Sequence, residues 1–208
     1  MNLFNHAENT NLTTRLAYVS LYFILAILSA CTNTQPQPKA YSEPLPVNNE
    51  IIFDCFSINH AWGYQMSGFF IDGNGMVYRY KRQGTVWHPK PVIGEKQRYY
   101  DKSDLLNKFT NKSLAAKVDS VIMQSKSKLI DLADTGAVSH TKHKIADAGQ
   151  NLCLAYRYDH SNTAYRPVAL GSFGVGQSSI INSSAAAKTL LNWLINDVAK
   201  QITGSPRF

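Results

Sequence analysis

The sequence predicts an α+β fold in a single domain, with a mainly antiparallel sheet of about five strands and helices on one face. Three observations favour this class. Short runs rich in β-branched and aromatic residues recur along the domain, a tight-turn sequence joins two of them, and a strong apolar stripe at helical spacing follows the last. The predicted order is three strands, helices, two strands and a helix, which lacks the regular alternation of a parallel α/β sheet.

The first three strands are predicted at residues 51–60, 66–72 and 76–82. In the third, apolar and aromatic side chains alternate with others at the period of a half-buried strand. Asp72-Gly73-Asn74-Gly75 lies between the second and third strands and supplies residues that tolerate positive φ. We therefore expect a tight hairpin there.

The middle of the domain is predicted to be a loop followed by helices. Residues 84–100 contain two prolines and form the loop. A short helix is expected at 103–110, capped by Asp101 or Ser103. A longer helix is expected over 113–134, with Gly136 as its stop. Its apolar residues at three- and four-residue spacing are Leu114, Val118, Val121, Ile122, Leu129 and Leu132.

Two further strands and a final helix complete the domain. The strands are predicted at 151–158 and 165–172. The helix starts after Ser183 or Ser184 and ends near Gly204 and Pro206. Its apolar stripe consists of Leu190, Leu191, Leu194, Ile195, Val198 and Ile202.

The amino-terminal segment has the parts of a secretory signal. Arg15 precedes an apolar run at residues 16–30, which ends in small residues. About fifteen residues are short for a membrane-spanning helix, which needs about twenty. We therefore expect residues 1–30 to be a signal peptide.

Leu28-Ser29-Ala30-Cys31 resembles the lipobox of bacterial lipoprotein precursors. In that family the cysteine sulfur receives a diacylglycerol, the signal is cut before the cysteine, and the new amine is often acylated. The resemblance implies lipid attachment at Cys31. It also implies the outer membrane as destination, because Thr32 rather than Asp follows the cysteine. The alternative is an uncleaved signal anchor with Cys31 near its end.

Residues 31–50 are expected to form a tether between the lipidated cysteine and the domain at 51–208. Four of the chain's eight prolines lie there, with little apolar material to bury. At about 3 Å per residue, such a segment would hold the domain up to roughly 50 Å from the bilayer. The remaining length suits one ordinary domain.

Composition bounds the class of protein and its partners. The chain has 208 residues, is 44% hydrophobic and 17% charged, and carries a formal net charge of +7. These values exclude a collagen, a coiled coil, a disulfide-dense mini-protein and a polytopic membrane protein. The expected partners are the membrane, through the anchor, and an anionic envelope component or another envelope protein. Nucleic acid is not expected.

Cys55 and Cys153 fall in predicted strands of an exported domain, where thiols meet oxidising conditions. We therefore expect a disulfide between them, which would close a loop of about a hundred residues. Two buried free thiols are the alternative.

Phe53-Asp54-Cys55 resembles the start of the F-D-C-S-G segment of NlpC/P60 cell-wall peptidases. In that family the cysteine begins a helix and a distant histidine acts as base. The resemblance implies a nucleophilic Cys55. Phe56-Ser57 departs from the Ser-Gly of the family pattern, and its Gly-Asp-rich segment and histidine strand are missing. The candidate bases are His140, His143 and His160.

Five residues are binding candidates. His60, Trp62 and Tyr64 bring three rings into a loop that could hold the edge of a ligand. Arg79 and Lys81 begin a basic stretch interleaved with aromatic residues, which suits anionic lipid headgroups or glycans. The alternatives are a core anchor for the aromatic loop and an ordinary solvated face for the basic stretch.

No metal or cofactor site is predicted. His140 and His143 have an H-x-x-H spacing, but no Glu lies between them and Lys142 and Lys144 would repel a cation. The glycines of residues 171–176 lack the Gly-Lys-Ser/Thr of a phosphate loop.

The runs at 62–78 and 187–194 resemble those of uncharacterised bacterial lipoproteins, which implies no particular activity. We expect a lipid-anchored, non-enzymatic binding or accessory module. A Cys55-dependent wall hydrolase and an inhibitor-type protective module are the alternatives.

Overall fold

The protein is mixed helix and strand, with one antiparallel sheet. The computed structural model describes residues 51–61, 63–84, 86–87, 99–143, 149–174, 176 and 178–204. The strands in these ranges are β1 (Ile51–Asn59), β2 (Gln65–Asp72), β3 (Met76–Gln83), β4 (Tyr100–Asp101), β5 (Lys112–Lys117), β6 (Val138–Lys142), β7 (Gln150–Asp159), β8 (Ala164–Ser172) and β9 (Ser178–Asn182). They form a nine-stranded sheet in the order β5-β3-β2-β1-β7-β8-β9-β6, and β4 pairs with β8.

The helices in the same ranges are α1 (Lys102–Lys108), α2 (Ser120–Ser127), α3 (Leu129–Asp134), α4 (Ala185–Trp193) and α5 (Lys200–Thr203). A π-helix at Leu194–Ala199 joins α4 to α5. Side-chain oxygens of Asp101, Asp119 and Ser184 cap α1, α2 and α4 by accepting backbone N–H groups of the first turn. The predicted short helix and carboxy-terminal helix are confirmed, with Asp101 and Ser184 as the caps.

The predicted hairpin between β2 and β3 is confirmed. Ile71 pairs with Val77 across the turn. Asp72 Oδ1 accepts hydrogen bonds from the backbone N–H groups of Asn74 and Met76, both at 2.9 Å. Gly75 has a φ of +76°, which a residue with a side chain adopts only with strain.

The predicted helix over 113–134 is wrong in its first part. Residues 112–117 form the edge strand β5, which pairs with β3, and the helices start only after Asp119. The apolar spacing that predicted a helix here includes Leu114, but this side chain is 57% exposed and lies outside both hydrophobic cores. An edge strand needs no apolar face, so a Leu followed by Ala and Lys fits it as well as a helix.

Within the described residues the sheet has nine strands, where about five were expected. The strands that the sequence pattern does not predict are β4, β5, β6 and β9. All five residues of β6 are exposed, and β4 has only two residues. Neither carries the alternating apolar pattern by which strands are found in a sequence.

Two hydrophobic cores lie on opposite faces of the sheet. The first contains β1 and β7 residues together with residues of α2, α3, α4 and the π-helix. The second is aromatic and includes Phe70, Tyr80, Leu105 and Phe109, so α1 lies over this other face. The expectation that the helices lie on one face is therefore wrong for α1, because its Leu105 and the Phe109 that follows it pack against the second face.

The predicted disulfide is present. Cys55 and Cys153 lie directly opposite each other in the β1–β7 register, and their sulfurs are bonded. Both residues are fully buried in the first core. On the other side of β1, Gly68 of β2 pairs with Phe56 and allows the two strands to approach closely, since a Cβ there would collide with the carbonyl oxygen of Cys55.

Several predictions fall on residues outside the described ranges. They are the signal peptide at 1–30, the lipid site Cys31, the tether at 31–50, Trp62, most of the loop at 84–100, and Pro206. Among the described helices, none combines the length and apolar character that a membrane-crossing helix requires.

Candidate functional site

The structure divides the described binding residues that the sequence predicts into two groups, His60 with Tyr64 and Arg79 with Lys81. His60 is exposed, and its ring centroid lies 5.5 Å from that of Tyr64. Tyr64 itself is buried in the second core, where its hydroxyl donates to the sulfur of Met66 at 3.3 Å. Tyr64 is therefore a residue of the second core.

Arg79 and Lys81 are both exposed on β3. They alternate with Tyr78 and Tyr80, which pack in or against the second core, so the two basic side chains project from the other face of the sheet. Arg79 and Lys81 therefore do not share a surface with Tyr64, which lies in the second core.

Cys55 does not have the free thiol that a cysteine nucleophile requires. The sulfur of Cys55 is bonded to Cys153, and Cys55 lies inside a strand rather than at the start of a helix. His140 and His143 are exposed, and the ring of His143 lies 3.1 Å from the hydroxyl of Ser179. No group of three or more metal-ligating side chains occurs among the described residues.

A buried ion pair joins β1 to α1. The Nζ of Lys108 donates to Asp54 Oδ2, and the side chains of both residues are fully buried. The hydroxyls of Tyr80 and Tyr156 donate to the same carboxylate at 2.8 and 3.2 Å. Burial, together with the charge of Asp54, raises the pKa of both tyrosines well above the usual value, so they remain protonated donors.

Aromatic rings surround the ammonium group of Lys108. It lies 3.7 Å from the ring centroid of Phe56 and 4.9 Å from that of Trp87. Burial lowers the pKa of Lys108, whereas the charge and hydrogen bond of Asp54 act in the opposite direction. Such an arrangement resembles an ammonium-binding cage whose occupant is supplied by the chain itself.

The buried pair has a structural role, because neither side chain reaches solvent. It holds α1 on the second face of the sheet. The sequence pattern does not predict this pairing. Asp54 stands within a run of apolar residues, and this run was the only signal that its carboxylate needed a buried partner.

The first face carries an open cleft of about 570 Å³ between α2 and the carboxy-terminal helix, a volume typical of ligand pockets. We call it the Trp193 cleft. Its floor includes Trp193, Val118 and Val198, all buried residues of the first core. The ring of Trp193 packs edge-on against Phe53 with centroids 5.4 Å apart, so the sheet holds the floor in place.

Four charged residues line the same cleft: Lys117, Asp119, Lys126 and Asp197. The Nζ of Lys126 lies 5.6 Å from the ring centroid of Trp193, within the range of a cation–π contact. Among the described residues, no ion pair joins either lysine to either aspartate. The cleft therefore presents two positive and two negative groups that do not neutralise one another by direct contact.

The π-helix forms one wall of the cleft. It begins directly after Trp193 and contributes Asp197 and Val198 to the lining. Short π-helical segments within α-helices are frequent at functional sites. The spacing of four between Trp193, Asp197 and Gln201 was visible in the sequence, but their meeting with Asp119 and Lys126 depends on how α2 packs.

Comparison with known proteins provides no relative for this chain. No family model matches it, and no curated protein or solved structure matches it significantly.

Proposed function

We propose that this protein is a lipid-anchored protein of the bacterial cell envelope whose domain binds a ligand or partner and does not catalyse a reaction. Cys31 would carry the lipid, residues 31–50 would form the tether, and the outer membrane would be the destination. The Trp193 cleft would be the binding site of the domain.

One observation carries this proposal: the buried disulfide between Cys55 and Cys153. Disulfides persist in oxidising compartments and are rare in the cytosol. An exported chain agrees with the signal-like segment before Cys31 and with the resemblance of Leu28-Ser29-Ala30-Cys31 to a lipobox.

The same disulfide argues against a thiol hydrolase. A cysteine nucleophile must be an accessible thiolate. Cys55 is fully buried and its sulfur is bonded, so it lacks the required state. Binding remains the activity that the cleft supports.

Metabolic labelling with an alkyne fatty acid in a Gram-negative host tests the anchor. We expect the wild-type chain to be labelled and to lose residues 1–30, as measured by intact mass. Cys31→Ser should abolish both labelling and cleavage, whereas Thr32→Ser, the matched control at the next residue, should retain both. Labelling of the Cys31→Ser variant would overturn the proposal.

Membrane fractionation tests the destination. Thr32→Asp should move the labelled protein from the outer to the inner membrane, while Thr32→Ser should leave it in the outer membrane. An unchanged distribution of Thr32→Asp would overturn the outer-membrane assignment and leave the lipid anchor to be judged by labelling.

A further inference from the structure

We propose that the Trp193 cleft binds the zwitterion of an amino acid or short peptide with free termini and an apolar side chain. The ligand ammonium would lie beside Asp119 and Asp197, and its carboxylate beside Lys117 and Lys126. This inference rests on the proposal that the domain is a binding module, and it names the ligand class.

The charges that line the cleft suit a ligand that carries both signs. Two lysines and two aspartates line one cavity of about 570 Å³, and no ion pair joins the two kinds among the described residues. Opposite charges placed in this way attract a molecule that carries both signs, because a single-sign ligand would meet repulsion from two of the four groups. A zwitterion complements all four.

Lys126 shows that the floor of the cleft accepts an ammonium group. Its own ammonium stands over the indole of Trp193, 5.6 Å from the ring centroid. Aromatic faces attract cations in general, and carboxylates close by strengthen that attraction. When a ligand carboxylate draws Lys126 away, the indole face becomes available to the rest of the ligand.

The apolar part of the cleft selects the side chain. Trp193 is only 6% exposed, yet it lines the cleft, and Ile122 at the rim is 44% exposed. Burying a ligand's aliphatic group between them removes apolar surface from water on both partners. A zwitterion without an aliphatic group would contact only the four charged residues of the cleft.

Nuclear magnetic resonance of the full chain, isotope-labelled and purified in a non-ionic detergent, tests the inference. The readout is the indole N–H resonance of Trp193, assigned by its loss in Trp193→Phe. The probes are leucyl-leucine, its N-acetyl form and its amide. We expect leucyl-leucine to shift the resonance saturably, and each blocked form to bind about tenfold more weakly, as expected for the loss of a charge-assisted contact.

Two variants test which side chains contact the ammonium and the carboxylate of the ligand. Asp197→Asn keeps the shape of the side chain and should weaken leucyl-leucine binding about tenfold while leaving the N-acetyl form unaffected. Lys126→Met should weaken leucyl-leucine but leave the amide unaffected. Lys128→Met is the matched control, because Lys128 is exposed and does not line the cleft. The amide spectrum of each variant reports whether it is folded.

Four outcomes would overturn the inference. They are equal binding of all three peptides, no saturable shift of the Trp193 resonance, an equal loss in Lys128→Met, and tighter binding of glycerophosphoethanolamine than of leucyl-leucine. The last would assign the cleft to a lipid headgroup. None of them bears on lipid labelling at Cys31, so failure of this inference is distinguishable from failure of the envelope proposal.

Discussion

Asp54 and Lys108 lie 54 positions apart in the chain and form an ion pair whose side chains are fully buried. Asp54 belongs to the central strand β1, and Lys108 is the last residue of α1. The carboxylate also accepts hydrogen bonds from Tyr80 and Tyr156, on two further strands. One buried charge cluster therefore connects α1 to three strands of the sheet.

Removing one partner of this pair should be costly. We expect Lys108→Met to lower the free energy of unfolding by about 3–5 kcal/mol, because it leaves a buried carboxylate without its counter-ion. Urea unfolding of the variant measures the loss. The double variant Asp54→Asn/Lys108→Met should be more stable than the sum of the single effects predicts, since it removes both charges. Additive losses would contradict a direct coupling of the two residues.

The disulfide should stabilise the domain through the loop that it closes. Cys55 and Cys153 are separated by 98 positions, and the chain-entropy model assigns a loop of this length about 4–5 kcal/mol. We expect the double variant Cys55→Ala/Cys153→Ala to lose up to that amount in urea unfolding. Reductant should destabilise the wild-type chain and leave the double variant unchanged. Thiol titration of the denatured, unreduced wild type should detect neither cysteine.

Asp134 should make stability depend on pH at the acid end. Burial alone would raise the pKa of Asp134, but hydrogen bonds and charges from Arg166 and Arg157 lower it below the usual value. The ionised carboxylate therefore favours the folded state. This contribution is fully present above the unfolded pKa of about 4 and is lost as the pH falls through the lower folded pKa.

The variant Asp134→Asn isolates this effect. Because the site is partly exposed, we expect a contribution of at most about 1 kcal/mol. Urea unfolding between pH 2 and 7 should show a shallower acid loss in Asp134→Asn than in the wild type. Asp131→Asn is the control, since Asp131 forms an ion pair with Arg157 at 3.2 Å, whereas Asp134 pairs with both Arg157 and Arg166. The same acid profile in Asp134→Asn and wild type would contradict the assignment.

Two leucines distinguish the strand β5 from the helix that the sequence predicted. Leu114 is 57% exposed in the strand, whereas Leu105 of α1 is fully buried. We expect Leu114→Ala to change the free energy of unfolding by less than about 0.5 kcal/mol. Leu105→Ala should cost about 2–5 kcal/mol, because it leaves a cavity in the second core. A large loss in Leu114→Ala would restore the helical alternative for residues 113–117.

Close approach of backbones makes Gly68 sensitive to any side chain. A Cβ at this position would come within 2.8 Å of the Cα of Phe56 as well as striking Cys55. We expect Gly68→Ala to reduce the unfolding midpoint in urea, with a loss of about 1–3 kcal/mol from overpacking. Gly176→Ala serves as the control, because its nearest atom would be 3.2 Å away. Equal midpoints of the two variants would contradict the tight β1–β2 packing.

The sequence by itself determined those elements whose signals are local. Three such signals are the alternation in β3, the turn residues Asp72–Gly75 and the apolar stripe of the carboxy-terminal helix. Each signal lies within a short stretch of the chain, so a short sequence window contains all of it. The pairing of Cys55 with Cys153 could also be predicted from the sequence, because only these two cysteines fall within the predicted domain.

Only the tertiary structure decided the places of the edge strands and which distant side chains become neighbours. The exposed edge strands β5 and β6 have no apolar face for a sequence pattern to reveal, and their pairing partners are distant in the chain. Asp54 with Lys108, and Trp193 with Asp119 and Lys126, become neighbours only after the helices pack on the two faces of the sheet. Charges that far apart in sequence carry no local periodicity, so their meeting depends on the packing of the whole domain.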